Sequence, residues 1–231
     1  MKSNRLLLFV SAVQMLLFVL LARWVHTHPV NRFDVAMTHR VQKRHTPVFS
    51  ALSQCCSVLC SWQFVNILGL PLSLVLWRSR LRLEAIMFGS VTVPGTVFRK
   101  LLQRMVARPR PAPPLAHVTK KKSSPSFPSG HAATSIFGGG WLLILSGLLL
   151  KEKQGWWKAL ASSITALMVL SGPSRIYLGE HWTSDVVGGY LYGGAWLTLS
   201  FSLYFTLKDN SVLTNGKKVA ATKNHVVQLA R

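Results

Sequence analysis

Three short stretches of this chain carry side chains that could do chemistry on a phosphate. One is Ser174-Arg175, then five residues to His181, then three more to Asp185. Residues four apart share a face of a helix, so on a helix opening near Trp182 the Asp185 carboxylate can accept from one nitrogen of His181. That bond fixes the tautomer and leaves the other nitrogen nucleophilic. Arg175 adds a guanidinium fork, which matches two phosphate oxygens at once. A second stretch is Pro128-Ser129-Gly130-His131. Ser129 stands where an N-cap would, Gly130 opens the backbone, and the free N–H groups of a helix start bind anions. His131, in that first turn, faces the same anion. The remaining stretch is Ala107-Arg108-Pro109-Arg110-Pro111, whose prolines end a helix and hold two arginines on extended chain. Each stretch has a plain structural reading: a basic helix end among lipid headgroups, a capped helix with an incidental histidine, an interfacial His beside a helix-start Asp. The spacing of the Ser174–Asp185 set is the least compatible with accident.

Apolar helices must position these groups. Hydrophobic residues make up 49% of the 231 and charged residues only 14%, which argues against a soluble globule and against disorder. No Asp, Glu, Lys or Arg interrupts Leu6–Ala22, Thr46–Trp77, Ala85–Phe98, Ser123–Leu150, Ala159–Ser174 or Val186–Leu207. A spanning helix needs about 20 mainly apolar residues. The expected fold is therefore an all-α membrane protein, a bundle of six transmembrane helices over Leu6–Val25, Ser50–Trp77, Leu81–Gln103, His131–Leu150, Trp157–Tyr177 and Trp182–Leu207. The third run holds Pro94-Gly95, a kink that a buried bundle position tolerates. A loop of about 20–25 residues should join the third span to the fourth.

The net charge is +21, from 27 Lys+Arg against 6 Asp+Glu. The basic residues sit at helix ends and not on one soluble face, which excludes nucleic acid as the first partner and favours membrane lipids. Leu6–Val25 reads as an uncleaved anchor, because its apolar stretch is long for a signal core and Ala22-Arg23-Trp24 is a poor cleavage site. With the basic stretch Arg99–Lys122 set aside as functional, the Lys and Arg distribution places both termini in the cytoplasm and all three chemical stretches outside, in a membrane read as the plasma membrane. The chain divides into an anchor helix and outer loop (1–49), a catalytic core (50–207) and a basic tail (208–231) resting on an anionic leaflet. Cys55, Cys56 and Cys60 lie in one run and read as small apolar filler, with no disulfide framework.

Taken together, the motifs resemble the type 2 phosphatidic acid phosphatase / haloperoxidase superfamily, in its integral-membrane lipid phosphate phosphatase branch. That signature is Lys-x6-Arg-Pro, then Pro-Ser-Gly-His, then Ser-Arg-x5-His-x3-Asp, and the last two are met at Pro128–His131 and Ser174–Asp185. The resemblance spans roughly residues 50–205. It implies that His181 is the nucleophile, His131 the general acid and then base, and Asp185 the group that orients His181. It implies that Arg110, Arg175, Ser129 and Gly130 hold the phosphate, with no metal and no cofactor. The implied activity is hydrolysis of a lipid phosphate or diphosphate (phosphatidate, phosphatidylglycerophosphate or polyprenyl diphosphate) through a phosphohistidine. A phosphotransferase using the same histidine and an inactive lipid-phosphate-binding protein are the alternatives. The oligomeric state is left open.

One position departs from the signature. Seven residues before Arg110 stands Gln103, where the family has lysine. Gln103 can donate a hydrogen bond to phosphate but brings no charge. The expected replacements are Arg104 or the loop lysines Lys120, Lys121 and Lys122, ahead of Lys100, whose side chain should lean toward the N-terminus and away from the site.

Overall fold

The computed structural model describes residues 2–43, 46–150 and 152–209, and every regular element among them is an α-helix. They are α1 (Lys2–Thr27), α2 (Arg32–Gln42), α3 (Pro47–Leu59), α4 (Trp62–Arg78), α5 (Arg82–Val106), α6 (Gly130–Leu149), α7 (Gln154–Tyr177) and α8 (Thr183–Asp209). The six apolar runs all appear as helix, but the second is two helices, α3 and α4, bent by 48°. Local capping explains the break. Thr46 caps α3 by accepting from Phe49 N at 3.2 Å, with Pro47 in its first turn, and Ser61 restarts the chain by accepting from Phe64 N at 3.2 Å.

By length and hydropathy, α1 over Asn4–Thr27 and α6 over Gly130–Leu149 each suffice to cross a membrane, and the bent α3–α4 pair makes a third if taken as one span. α5, α7 and α8 have similar lengths but are diluted by Gly, Ser and Thr. Small residues let helices approach closely, and that is how these three are used. α8 packs against α1 and α6, with α7 and α5 at its flanks, and α3 packs on α7. Phe18 of α1 stacks on Phe127 at 5.6 Å between ring centroids, and Trp141 meets Tyr204 edge-on at 5.5 Å. Polar side chains tie α1 to α8: Asn4 Nδ2 donates to Thr206 Oγ1 at 2.8 Å and Ser11 Oγ to the Ala195 carbonyl at 2.9 Å.

Large apolar side chains also cover the outside. Phe9, Leu16, Ile67, Leu70, Val97 and Met105 are exposed along α1, α4 and α5. Water does not tolerate such a surface and lipid does, so the molecule is an integral membrane protein. Cys56 and Cys60 are buried, Cys60 Sγ reaching the Leu167 carbonyl of α7 at 3.6 Å, while Cys55 is exposed. The tail beyond residue 209 lies outside the described residues.

One element was not expected. α2 is a short helix capped by Asn31, whose Oδ1 accepts from Asp34 N at 2.9 Å. It brings Asp34, fully buried, to the end of the bundle where the chemical stretches gather.

Candidate active site

The loop of residues 107–129 and the α7–α8 turn meet at one end of the bundle. α5 stops at Ala107, which takes the left-handed conformation (φ 52°) and returns its N–H to the Gln103 carbonyl at 3.1 Å. The two arginines that follow part company. Arg108 turns inward and has no solvent exposure: Nη1 donates to Asp185 Oδ1 and Ser184 Oγ, and Nη2 to Asp34 Oδ2, each at 2.7 Å. Arg110 turns to the cavity. Its Nε donates to the Ser124 carbonyl at 2.8 Å, and its Nη1 to the Glu180 carbonyl at 2.5 Å and to His181 Nε2 at 3.3 Å.

That last contact assigns the histidine's tautomer. A guanidinium only donates, so Nε2 of His181 carries the lone pair and the proton sits on Nδ1. Nδ1 faces Asp185 Oδ2 at 3.6 Å, longer than a hydrogen bond, and has no other partner. Oδ2 is already held by the Trp182 N–H at 2.8 Å. His181 is buried, and that burial, with the Arg110 and Lys122 cations next in effect, holds its pKa well below 6.5. A neutral imidazole turns its unprotonated Nε2, with Arg110 against it, to the cavity.

The Pro128–His131 stretch is clamped to α8. Ser129 N donates to the Asp185 carbonyl at 3.0 Å, and a Cβ at Gly189 would stand 2.7 Å from the Ser129 carbonyl oxygen. Ser129 is the N-cap residue of α6, yet its Oγ makes no capping bond and is buried without a partner. The first N–H groups of α6 are left without intrahelical partners.

A cavity of about 850 Å³ opens between these elements. Gln103, Arg110, Gly130, His131 and His181 line it, with Arg99, Arg104, Lys120 and Lys122 from the basic stretch. Ser129, Arg175 and Asp185 stand behind its wall. Arg175 is wholly buried: Nη1 donates to Ser57 Oγ at 2.6 Å and to Glu180 Oε2 at 3.1 Å, and Nη2 to the Ser53 carbonyl at 3.0 Å. Gln103 uses both ends of its amide, accepting from Arg99 Nη1 at 3.0 Å and donating to the Pro125 carbonyl.

Three residues were missed in the sequence. Glu180 bridges Arg175 and Lys122, its Oε2 2.5 Å from Lys122 Nζ. Burial raises its pKa, but the Lys122 hydrogen bond and the Arg175 charge outweigh that and leave it below 4.5. Asp34 closes the far side of Arg108. Both belong to the 6 acidic residues of a chain with 27 basic ones, and that scarcity was the available signal. Arg99 is the third. It shares the buried face of α5 with Gln103, one turn away. Among the described residues, no group of three or more His, Cys, Asp or Glu is arranged to ligate a metal.

Residues 83–209, over half the chain, match the family model of the PAP2 superfamily. The chain belongs to the PAP2 superfamily. Within it, the chain is 26% identical over 181 residues to phosphatidylglycerophosphatase B of Bacillus subtilis, covering 77% of this chain and 86% of that one. It is 29% identical over 208 residues to lipid phosphate phosphatase delta of Arabidopsis thaliana, covering 83% of this chain and 48% of the relative. The fold superposes on the crystal structure of the PAP2-type phosphatidylglycerolphosphate phosphatase of Bacillus subtilis with a TM-score of 0.75 at 23% identity, covering 86% and 98% of the two chains. It superposes on Aquifex aeolicus LpxE with a TM-score of 0.54 at 20% identity, covering 74% and 96%. The PAP2 match begins in α5 and ends in α8, so it takes in all three chemical stretches.

Proposed function

We propose that this PAP2 protein hydrolyses a lipid phosphate or diphosphate through a phosphohistidine on His181. The observation that carries the reading is the contact between Arg110 Nη1 and His181 Nε2, which leaves a buried neutral imidazole with its lone pair at a cavity rich in cations. His181 Nε2 attacks phosphorus, and the N–P bond forms as the P–O bond to the leaving alkoxide breaks. His131, across the cavity, donates a proton to that oxygen. Water then attacks phosphorus and gives a proton to His131, the N–P bond breaks, and inorganic phosphate departs. Arg110 faces the phosphate directly, while Arg175, Ser129 and Asp185 shape the site from behind, and Asp185 closes its gap to Nδ1 as charge develops on the ring. The first N–H groups of α6, at Gly130, meet the phosphoryl oxygens.

A lipid substrate is supported by a second feature. An apolar groove of about 410 Å³ runs between α4, α6 and α7, past Phe64, Leu68, Leu142 and Met168. It starts at the α3–α4 break, whose residues also border the cavity, so a headgroup in the cavity leaves its chain a path into the groove. The names of the relatives, phosphatidylglycerophosphatase and lipid phosphate phosphatase, agree with that chemistry. We read α1, α3 with α4, α5, α6, α7 and α8 as six spans, with the site outside and the termini in the cytoplasm.

The test is phosphate release from a panel of phosphatidate, phosphatidylglycerophosphate and polyprenyl diphosphate in detergent, with and without a chelator. Release with no added acceptor, unchanged by chelator, and lost with trapped phosphate in His181→Ala, is the expected result. Near-normal turnover by His181→Ala overturns the mechanism. Turnover only with an added alcohol identifies a transferase.

A further inference from the structure

The cavity holds a buried cation that no carboxylate among the described residues pairs with. Arg99, on α5, is 7% exposed and lines the cavity together with His131 and His181. Its Nη1 donates to Gln103 Oε1 at 3.0 Å, a neutral acceptor. Among the described residues no carboxylate pairs with it, whereas Arg108, Arg175 and Lys122 each have one. Its guanidinium lies over the start of α6: a Cβ at Gly130 would stand 3.1 Å from the guanidinium carbon and 3.3 Å from Nε.

The other candidates for the lysine's place are less suited. Lys100 is exposed, with Nζ 4.9 Å from the ring centre of Trp62. Arg104 is exposed, and Lys122 is spoken for by Glu180 at 2.5 Å.

We propose that Arg99 is a phosphate-binding catalytic residue that supplies the charge missing at Gln103, and that Gln103 is its positioning residue. The proposal rests on the phosphohistidine reading given above. A guanidinium with one neutral side-chain acceptor keeps N–H donors open to the cavity and a charge with no carboxylate beside it among the described residues, and a phosphoryl group at the α6 N-terminus supplies a partner for both. Gly130 leaves the space in which the two can meet. Side chains on a helix lean toward its N-terminus, so Arg99 must be drawn the other way to reach this place. The Gln103 amide does that: Oε1 holds the guanidinium while Nε2 is anchored on Pro125, three residues before Pro128. A lysine at 103 would remove the acceptor and set a second cation beside Arg99. Arginine one turn earlier and glutamine at 103 therefore form a matched pair.

The experiment uses the full chain in detergent and reads kcat and KM on phosphatidate, together with the melting shift produced by orthovanadate. Arg99→Gln should lower kcat on the order of a hundredfold, as loss of a transition-state donor does, with KM changed by less than about threefold. Gln103→Lys alone should give no gain. The double variant Arg99→Gln/Gln103→Lys, which returns a cation to the cavity, should recover at least about tenfold of what Arg99→Gln loses. It is read even where the single variant does not fold: turnover at background in the double variant overturns the proposal. So does Arg99→Gln turning over within about threefold of the parent while His181→Ala is dead, and the phosphatase reading then stands without Arg99. If the parent releases phosphate from no lipid, the phosphatase reading falls and vanadate decides. A melting shift lost in Arg99→Gln and regained in the double variant upholds Arg99 as an anion ligand, and an unchanged shift overturns it.

Discussion

Arg108 Nη1 stands 2.7 Å from Asp185 Oδ1, and neither side chain reaches solvent. The same guanidinium holds Asp34 at 2.7 Å, so one arginine bridges two buried carboxylates that are far apart in the chain. Ser184 completes the cluster, its N–H and Oγ both donating to Asp34 at 2.8 and 2.6 Å. This cluster is the floor on which His181 rests.

Replacing Arg108 by methionine keeps most of its length and removes the charge. Asp34 and Asp185 are then left buried, close together and unpaired. Breaking a buried pair from one side costs about 3–5 kcal/mol, so Arg108→Met should lower the melting temperature in detergent sharply and reduce the yield of folded protein. Asp34→Asn leaves Arg108 paired with Asp185 and should cost less. Equal melting temperatures for Arg108→Met and the parent would contradict the cluster's role.

Gly189 sets how closely α8 approaches the loop before α6. An added Cβ meets the Ser129 carbonyl at 2.7 Å, and the backbone it meets cannot rotate aside. Gly189→Ala should destabilise by about 1–3 kcal/mol through overpacking and should lower kcat more than it raises KM, because it displaces Ser129 and Gly130 together. Gly155, where a Cβ meets nothing within 4 Å, is the control, and Gly155→Ala should leave both unchanged.

His131 is assigned to the leaving group, and chemistry can isolate that role. His131→Ala should suppress turnover of alkyl phosphates strongly. It should spare an activated aryl phosphate, whose leaving oxygen needs little protonation. The ratio of the two rates is the measurement, and an equal loss on both would remove the assignment.

Acid should act on activity and on stability in the same direction. Burial first, then the nearby cations of Arg110 and Lys122, hold His181 neutral well below pH 6.5, so its acid limb in kcat/KM should lie well below that value. Below pH 6.5 the unfolded chain takes up a proton on this residue that the folded chain refuses, so stability falls with pH there. Glu180, held below 4.5 by Lys122 and Arg175 against its burial, contributes stability that is present above 4.5 and lost as pH falls through the folded value. Melting temperature against pH should therefore drop on acidification from about pH 6.5 downward. Arg110→Gln removes one cation at Nε2 and should move the acid limb of kcat/KM upward.

Much of the molecule was legible in the residues alone. Each long apolar run is a helix because a stretch without charge has no alternative in lipid but to satisfy its own backbone. The Ser174–Asp185 spacing named His181 and Asp185 as neighbours, although His181 stands in the turn before α8 and its Nδ1 is 3.6 Å from Asp185 Oδ2, and the prolines after Ala107 ended α5 where the chain must leave the bundle. The basic stretch, Gly130 and the two histidines could be named because their spacings are local and the geometry of helices and prolines is local too.

Other features were decided only when the helices packed. The break at Ser61 and the capped helix α2 depend on single polar side chains inside apolar or mixed sequence, which a charge count does not register. That Arg108 serves structure and Arg110 the cavity follows from where Asp34 lies, and Asp34 is 74 residues away in the chain. Arg175 looks like a phosphate fork in the sequence, but Ser53, Ser57 and Glu180 surround it from another helix and a turn. Arg99 could not be chosen over Lys100 from spacing, because both lie within a turn of Gln103. Packing buries one and leaves the other in contact with Trp62. A charged side chain goes where its partner is, and partners in a helix bundle are brought together by tertiary contacts across long stretches of chain. Sequence set which residues could do chemistry, and the pairing of buried charges set which of them face the substrate cavity.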